Sequence, residues 1–309
     1  MADISRAEVA TLIEEAYSDT LLDAATQAST VLQAFDTIPM GTKTTHLPVL
    51  ATIPEAGWVS ESATEAEGVK PQSKATWADR TLVAEEIAVI IPVHENVIDD
   101  ANVEVLNQIA ALGGQSIGKK LDEAVLFGID KPASWVSPSL LHAAVNAGQA
   151  VSVVGGGANE FDIVGATNKV AEMVAVAGYS PDTLVASLSL RYQVANIRDG
   201  DGSPIFRDES FAGFATHFNR NGAWQQGAAT AIVVDRSRVK IGVRQDISVK
   251  LLDQATLGTG ENQINLAERD MVALRLKARY AYVLGDGATA MGPNKTPVGV
   301  VTPPASGSN

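Results

Sequence analysis

The stretch Lys74–Val93, which reads KATWADRTLVAEEIAVIIPV, decides the fold of this chain. Its first half mixes polar and apolar residues, and its second half is continuously apolar from Ile87 to Ile91. Twenty extended residues would span about 60 Å, which is several times the length of an ordinary strand. The sequence therefore predicts one long strand whose polar end projects beyond the body of the protein.

The residues before this stretch predict its partner strand. Thr44–Ser60 is rich in residues that favour extended backbone, and Glu61–Ser73 has the glutamate, glycine and proline content of a loop. Trp58 and Trp77 stand at similar distances from a loop centred near Glu67, which predicts that they are near cross-strand neighbours. We expect a long two-stranded hairpin that reaches into solvent.

A helical pattern follows the long strand. Apolar and small residues recur at steps of three and four over about 102–127, which is the spacing of one helix face. Gly113, Gly114 and Gly118 lie within this helix, and each costs up to about 1 kcal/mol relative to alanine. That cost is tolerable if the helix packs closely on a sheet behind it.

The remaining segments predict a mixture of helices and strands. Helices are expected at Phe161–Ala177 and Leu188–Ile197, and strands at Val151–Val154, Thr183–Ser187, Ala229–Val234, Lys240–Leu252 and Asp270–Val283. Gly128–Gly157 otherwise reads as irregular, and the Pro/Gly/Ser-rich tail Pro293–Asn309 is expected to be loose at its end. Residues 2–38 read as an amphipathic helix and then looser chain, packed on their own domain or lying on a neighbouring subunit.

Composition limits the functions available to this chain. The 309 residues are 46% hydrophobic, which is typical of a globular protein, and the lack of cysteine excludes disulfides and thiolate metal sites. No apolar run approaches the roughly 20 residues of a membrane span, and the N-terminus has no signal-peptide pattern. A formal net charge of −13 opposes direct binding to nucleic acid.

Patterns of catalytic or metal-binding residues are weak throughout the sequence. The four histidines are scattered without metal-ligand spacing over His46, His94, His142 and His217. His94-Glu95 is a poor candidate for an acid/base pair, because it lies where a strand turns into a helix. Gly155–Gly157 lacks the lysine of a phosphate loop, and Asp199 with Asp201 lacks the glycine and glutamate of a calcium loop. We predict no catalytic residue, no metal site and no cofactor.

Six segments of the chain occur in an order and at a spacing that are specific when the six are taken together. They are Trp58–Glu61, Lys70–Ser73, Ala84–Val97, Ile197–Phe206, Val239–Val249 and Glu268–Arg279. Together they resemble the tailed-phage major capsid proteins of the HK97 fold. The resemblance implies an α+β capsid fold with four parts: an N-terminal arm (1–43), a projecting hairpin or E-loop (44–92), a P-domain with a long spine helix (93–150 and 235–283) and an A-domain (151–234 and 284–309).

The same resemblance implies a function. It implies a major capsid protein, without enzyme activity, that self-assembles through hexamers and pentamers into an icosahedral shell. The shell would enclose double-stranded DNA without binding it specifically, in a virion assembled in the bacterial host cytoplasm. Implied partners are further copies of the chain, a portal and separate scaffolding or decoration proteins, with no membrane. An encapsulin-type compartment shell is the alternative within the fold, and a soluble enzyme with an acidic surface is the alternative outside it.

Candidate contacts between subunits lie mainly in the hairpin. They are Trp58, Glu61, Lys70, Lys74, Trp77 and Arg80, together with Asn262 before the last strand. Some members of the family join an E-loop lysine to a neighbour's asparagine, although this sequence alone does not bring Lys70 or Lys74 to Asn262. The arm and the hairpin have few local apolar partners, so we expect both to cross between subunits. A chain without Ala2–Thr37 is expected to fold but not to assemble, and no N-terminal cleavage is expected.

Overall fold

The computed structural model describes residues 25–54, 56, 73–95, 103–153, 162–197, 213–252, 254–258, 263–289, 291 and 295–304. Its α-helices are α1 (Thr30–Ala34), α2 (Val103–Asp122), α3 (Leu140–Asn146), α4 (Ile163–Val176) and α5 (Leu188–Ala195), and a π-helical turn, Glu123–Phe127, continues α2. The strands are β1 (Asp36–Met40), β2 (Thr44–Thr52), β3 (Thr76–Val83), β4 (Glu85–His94), β5 (Ala150–Ser152), β6 (Thr183–Ser187), β7 (Ala215–Asn219), β8 (Ala231–Val234), β9 (Val239–Leu252), β10 (Thr256–Leu257), β11 (Ile264–Asn265), β12 (Met271–Leu284) and β13 (Val298–Thr302).

A four-stranded sheet in the order β1-β9-β12-β4 supports the long helix. β12 is antiparallel to β9 on one side and to β4 on the other, and β1 joins the outer edge of β9 in parallel. Side chains of a strand alternate between its two faces. On β12, Leu274, Leu276 and Tyr280 lie in the core with α2, whereas Arg275 and Lys277 point to the opposite face. The predicted strands Lys240–Leu252 and Asp270–Val283 are therefore confirmed.

The long helix lies on this sheet along the face that the three-and-four spacing predicts. Ile117, Leu121 and Val125 are buried and belong to the same core as Leu276 of β12. A Cβ atom at Gly113 would overlap Leu276 Cδ1, so the helix approaches the sheet closely at this glycine. The expected helix over about 102–127 is confirmed from Val103 to Phe127, with its last turn π-helical.

A second sheet, in the order β5-β13-β8-β6-β7, packs against α4. Every residue of β6 and β8 is buried, and Asp162 caps α4 by accepting the Gly165 N–H at 2.6 Å. β13 lies between β5 and β8, although the sequence placed it within a Pro/Gly-rich tail. Gly299 of β13 is packed so closely under α4 that a Cβ atom would overlap the Val170 side chain.

The prediction of one continuous twenty-residue strand over Lys74–Val93 is wrong. β3 and β4 are separate strands in different sheets, and the chain passes from one sheet to the other at Ala84. Ala84 is buried, and its N–H donates to the Lys43 carbonyl at 2.8 Å. Leu82 and Ala84 pack with Met40, Ala281 and Val283, which fastens the hairpin to the main sheet. Both strands have extended backbone, so residue pattern alone does not reveal the exchange of partners.

The segment from Ala25 to Met40 packs into its own chain. Val31 and Phe35 are buried in the main core, and Asp36–Met40 is a strand where looser chain was expected. The premise that the arm lacks local apolar partners is therefore wrong for this part of it; residues 2–24 lie outside the described ranges. The region expected to be irregular, Gly128–Gly157, contains α3, and β5 lies where a strand was expected at Val151–Val154. The division of the chain into P-domain and A-domain stays a prediction.

Candidate assembly surfaces

β2 and β3 form a two-stranded hairpin that stands as a sheet of its own. The strands are antiparallel from Thr44 opposite Val83 to Thr52 opposite Thr76. No residue of β2 is buried, and Leu82 is the one buried residue of β3. A two-stranded hairpin is at best marginally stable alone in water. Its exposed length is therefore the first candidate for a contact with another subunit.

Trp77 is the largest apolar side chain exposed on the described part of the hairpin. It is 67% exposed, and the residue opposite it is Leu50. The predicted pairing of Trp77 with Trp58 is therefore wrong, because the observed register places residue 64, and not Glu67, midway between Thr52 and Thr76. Trp77 is left as an exposed indole, of a kind enriched at protein interfaces.

The base of the hairpin is held by the segment that follows β12. Arg80 Nη2 lies 2.5 Å from Asp286 Oδ1, and the Ala288 N–H donates to the Leu50 carbonyl at 2.9 Å. A Cβ atom on Gly287 would stand 2.7 Å from Val49 Cγ1, so the two segments are in close contact. Arg80 thus has a partner in its own chain, and this contact sets the direction in which the hairpin leaves the body.

The other predicted contact residues divide into two groups. Lys74 is exposed near the outer end of the described hairpin. Trp58, Glu61, Lys70 and Asn262 lie outside the described residues. A lysine–asparagine link between subunits therefore stays a prediction. The role of each of these candidate residues in assembly also stays a prediction.

A row of cations lies on the face of the main sheet opposite α2. It consists of Arg275, Lys277 and Arg279 on β12, with Lys250 of β9 opposite Arg275. Glu86 of β4 offsets part of this charge, at 3.2 Å from Arg279 and 3.9 Å from Lys277. In a chain with a net charge of −13 this row is a local reversal of sign, and it suits contact with an acidic segment.

Asp122 is a buried carboxylate that joins α2 to the N-terminal segment and to β7. It accepts five hydrogen bonds, from Ser29 Oγ (2.6 Å), Thr30 N (2.9 Å), Val31 N (3.1 Å), Asn219 Nδ2 (3.1 Å) and Asn221 Nδ2 (2.8 Å). Two of these donors are free N–H groups of the first turn of α1, so Asp122 caps a helix that is distant in sequence. Burial raises the pKa of Asp122, and the hydrogen bonds oppose that rise.

Sequence reasoning missed this cluster, although one signal was available. Asp122 follows the buried Leu121 near the end of an apolar helix face, where an ionisable group requires partners. Those partners lie more than 90 positions away along the chain, so spacing alone does not identify them.

The histidines lie in unrelated surroundings. His46 contacts Asp79 on the hairpin at 2.5 Å, and His142 contacts Ser139 at the start of α3 at 2.7 Å. Burial lowers the pKa of His217 on β7, and nearby Arg236 adds to this effect. Within the described ranges, no three His, Asp or Glu side chains gather as metal ligands would. In that same part of the chain, no helix combines the length and apolar character needed to cross a membrane.

The chain matches one protein family and several solved structures over most of its length. The model of the phage capsid family matches residues 10–290. Structures from Mycobacterium phage Adephagia and Mycobacterium phage Cain are 73% and 74% identical, with TM-scores of 0.83 and 0.82, and each match covers 99% of this chain and 100% of the other. A structure from Microbacterium phage Oxtober96 is 36% identical over 98% of this chain and 100% of the other, with a TM-score of 0.78.

A more distant match shows the fold alone. The capsid of an empty GTA particle is 16% identical over 90% of each chain, with a TM-score of 0.57. No curated protein matches the chain. The expected α+β, HK97-like capsid fold is confirmed by the full-length matches to phage structures. The chain therefore belongs to the phage capsid family.

Proposed function

We propose that this protein is the major capsid protein of a tailed phage and assembles through hexamers and pentamers into an icosahedral shell around double-stranded DNA. As a member of the phage capsid family it is a structural protein of the virion shell, and it associates with further copies of itself. The observation that carries the proposal is the match to phage structures over 99% of this chain. The exposed hairpin, which has little support in its own subunit, agrees with it.

The finer parts of the proposal concern the partners of the protein and the compartment in which the shell assembles. Assembly occurs in the bacterial host cytoplasm, with a portal at one vertex and separate scaffolding or decoration proteins as further partners. DNA is enclosed without specific binding, because a net charge of −13 repels phosphate on average. No enzymatic step is part of this function.

Imaging of the expressed protein tests the assembly itself. The purified protein, viewed by negative-stain electron microscopy, is expected to form closed particles of uniform size. Portal and tail genes beside the gene would separate a phage capsid from an encapsulin-type compartment, which the family match does not favour. A monomer that saturably binds a small molecule would contradict the proposal.

The hairpin supplies the contact between neighbouring subunits. Trp77 is 67% exposed in the single subunit, and no described residue of β2 beside it is buried. Burying an aromatic side chain of this size contributes about 2–3 kcal/mol per copy. Contacts of that strength are individually reversible, and they become stable together when every subunit of a closed shell makes one.

Trp77→Ala is expected to lower the melting temperature of the shell by more than that of the unassembled subunit. The reason is that the lost indole contacts a neighbour and not its own core. Differential scanning calorimetry on both forms measures the two shifts. Tyr192→Ala on α5 is the matched control, since Tyr192 is also aromatic and is 62% exposed. Equal shifts in shell and subunit for Trp77→Ala would show that the ring packs only against its own hairpin.

A further inference from the structure

An open groove of about 680 Å³ runs beside the long helix α2. Ala111, Leu112, Gln115 and Lys119 form its helical wall, and Gln27, Ala28 and Arg220 lie across from them. Leu112 is 59% exposed there, whereas Ile109, Ala110 and Ile117 of the same helix pack in the core. The groove thus has a small apolar patch, formed by Ala28, Ala111 and Leu112, within a polar lining on the long helix.

The rim of the groove is positively charged. Lys119 and Arg220 stand along it, and none of its described lining residues is acidic. Glu123 lies 3.9 Å from Lys119, at the limit of an ion pair and outside the lining. A ligand for this surface would present an apolar side toward Leu112 and carboxylates toward the two cations.

The N-terminal segment leads directly to this groove. Ala25 is buried, and Gln27 and Ala28 form one edge of the groove. A Cβ atom on Gly118 of α2 would stand 3.0 Å from the Ala25 carbonyl, so the chain is pressed onto α2 at this point. Residues 1–24 are therefore attached at the groove and within immediate reach of it.

The sequence of residues 1–24 matches both the apolar patch of the groove and its positive charge. Val9, Leu12, Ile13 and Tyr17 recur at helical spacing and form one apolar face. The same segment contains six acidic residues and one basic residue. A helix over residues 8–22 would be about 22 Å long, whereas the groove follows α2 for about 12 Å from Ala111 to Lys119. The segment is long enough to fill it.

We propose that residues 8–22 dock as an amphipathic helix in the groove of their own subunit, with the apolar face on Leu112 and carboxylates toward Lys119 and Arg220. This assigns an occupant to a surface that the shell contacts proposed above do not use. Of the two positions expected for the N-terminal segment, on its own domain or on a neighbouring subunit, this proposal chooses the first. The same segment from a second copy, or an acidic helix of a scaffolding protein, are the competing occupants.

Hydrogen–deuterium exchange of the full chain tests the docking. In the unassembled subunit, Leu112→Asp is expected to speed amide exchange across residues 8–22 at least tenfold, and Arg220→Glu is expected to act in the same direction. Val176→Asp is the matched control, because Val176 is an apolar residue that is 62% exposed on another helix. The proposal is overturned if residues 8–22 exchange equally fast in the unaltered protein and in Leu112→Asp.

Cysteine cross-linking decides whose segment fills the groove. The natural chain has no cysteine, so a pair made by Leu12→Cys and Leu112→Cys is the only possible site for a bismaleimide link. A link within one chain, with the monomer mass kept on a denaturing gel, supports the proposal. A ladder of linked dimers, or no more linking than in the control pair Leu12→Cys and Val176→Cys, contradicts it. Because both measurements use the subunit, a failure of shell assembly would be recognised separately.

Discussion

Asp122→Ala is expected to reduce the free energy of unfolding of the subunit by about 3–5 kcal/mol. The side chain is fully buried and accepts five hydrogen bonds. Alanine would leave those donors unpaired in the core, and each buried donor without a partner costs about 1–3 kcal/mol. Because a domain has only about 5–15 kcal/mol of stability in total, this loss is a large fraction of the stability of the subunit.

Urea unfolding of the unassembled subunit, followed by circular dichroism, measures this loss. Asp130→Asn is the matched control, since the Asp130 carboxylate also has a close partner, Lys120 at 2.5 Å, but its side chain is 73% exposed, and asparagine tolerates the left-handed backbone at this position. An exposed ion pair contributes less than about 1 kcal/mol, so the control is expected to unfold almost like the unaltered protein. If Asp122→Ala and Asp130→Asn unfolded at the same urea concentration, Asp122 would not be the structural link described above.

The parts of the fold that follow from local periodicity could be predicted from the sequence. The α2 face, β9 and β12 depend on repeats of three-and-four or of two, and these repeats are visible in a short window. The three glycines of α2 also carried information, because a helix tolerates them only where something approaches closely. Leu276 occupies that place at Gly113.

Other features depend on contacts between distant residues, which no short window contains. β13 has five residues, Val298–Thr302, in a segment rich in proline and glycine, and its strand character comes from the partners β5 and β8 on either side. The switch of sheets at Ala84 depends on Met40 and Val283, which lie far away along the chain. The hydrogen-bond donors around Asp122 also come from distant parts of the chain.

The candidate contacts were less predictable than the fold. The hairpin itself was expected, but its register was not, because a residue count assumes a symmetric loop and hydrogen bonding need not follow it. Arg80 was named as a possible contact between subunits, and the structure gives it an intramolecular partner in Asp286. Surface residues carry no periodic signal for their partner, so their part in assembly has to be measured.

Removing residues 2–37 is expected to abolish folding, whereas removing residues 2–24 is expected to leave a folded subunit. The longer deletion takes away three donors to Asp122 and the buried side chains of Val31 and Phe35. Loss of each of these side chains from the core costs about 1.5–3 kcal/mol, and Asp122, left with its two asparagine donors, adds to that cost. This outcome is opposite to the one expected from the sequence, because the structure places residues 29–37 in the core and in the main sheet.

Circular dichroism and thermal unfolding distinguish the two truncated chains. The chain without residues 2–24 is expected to unfold cooperatively, with a modest loss of stability from uncovering Leu112. The chain without residues 2–37 is expected to show no cooperative transition and to aggregate, since its main core and the edge of β9 are both exposed. A cooperative transition for the longer deletion near that of the full chain would mean that α1 and β1 are dispensable. The N-terminal segment would then act in assembly alone, as the sequence first suggested. If the shorter deletion also failed to fold, the helix in the groove would be part of the core and not an addition to it.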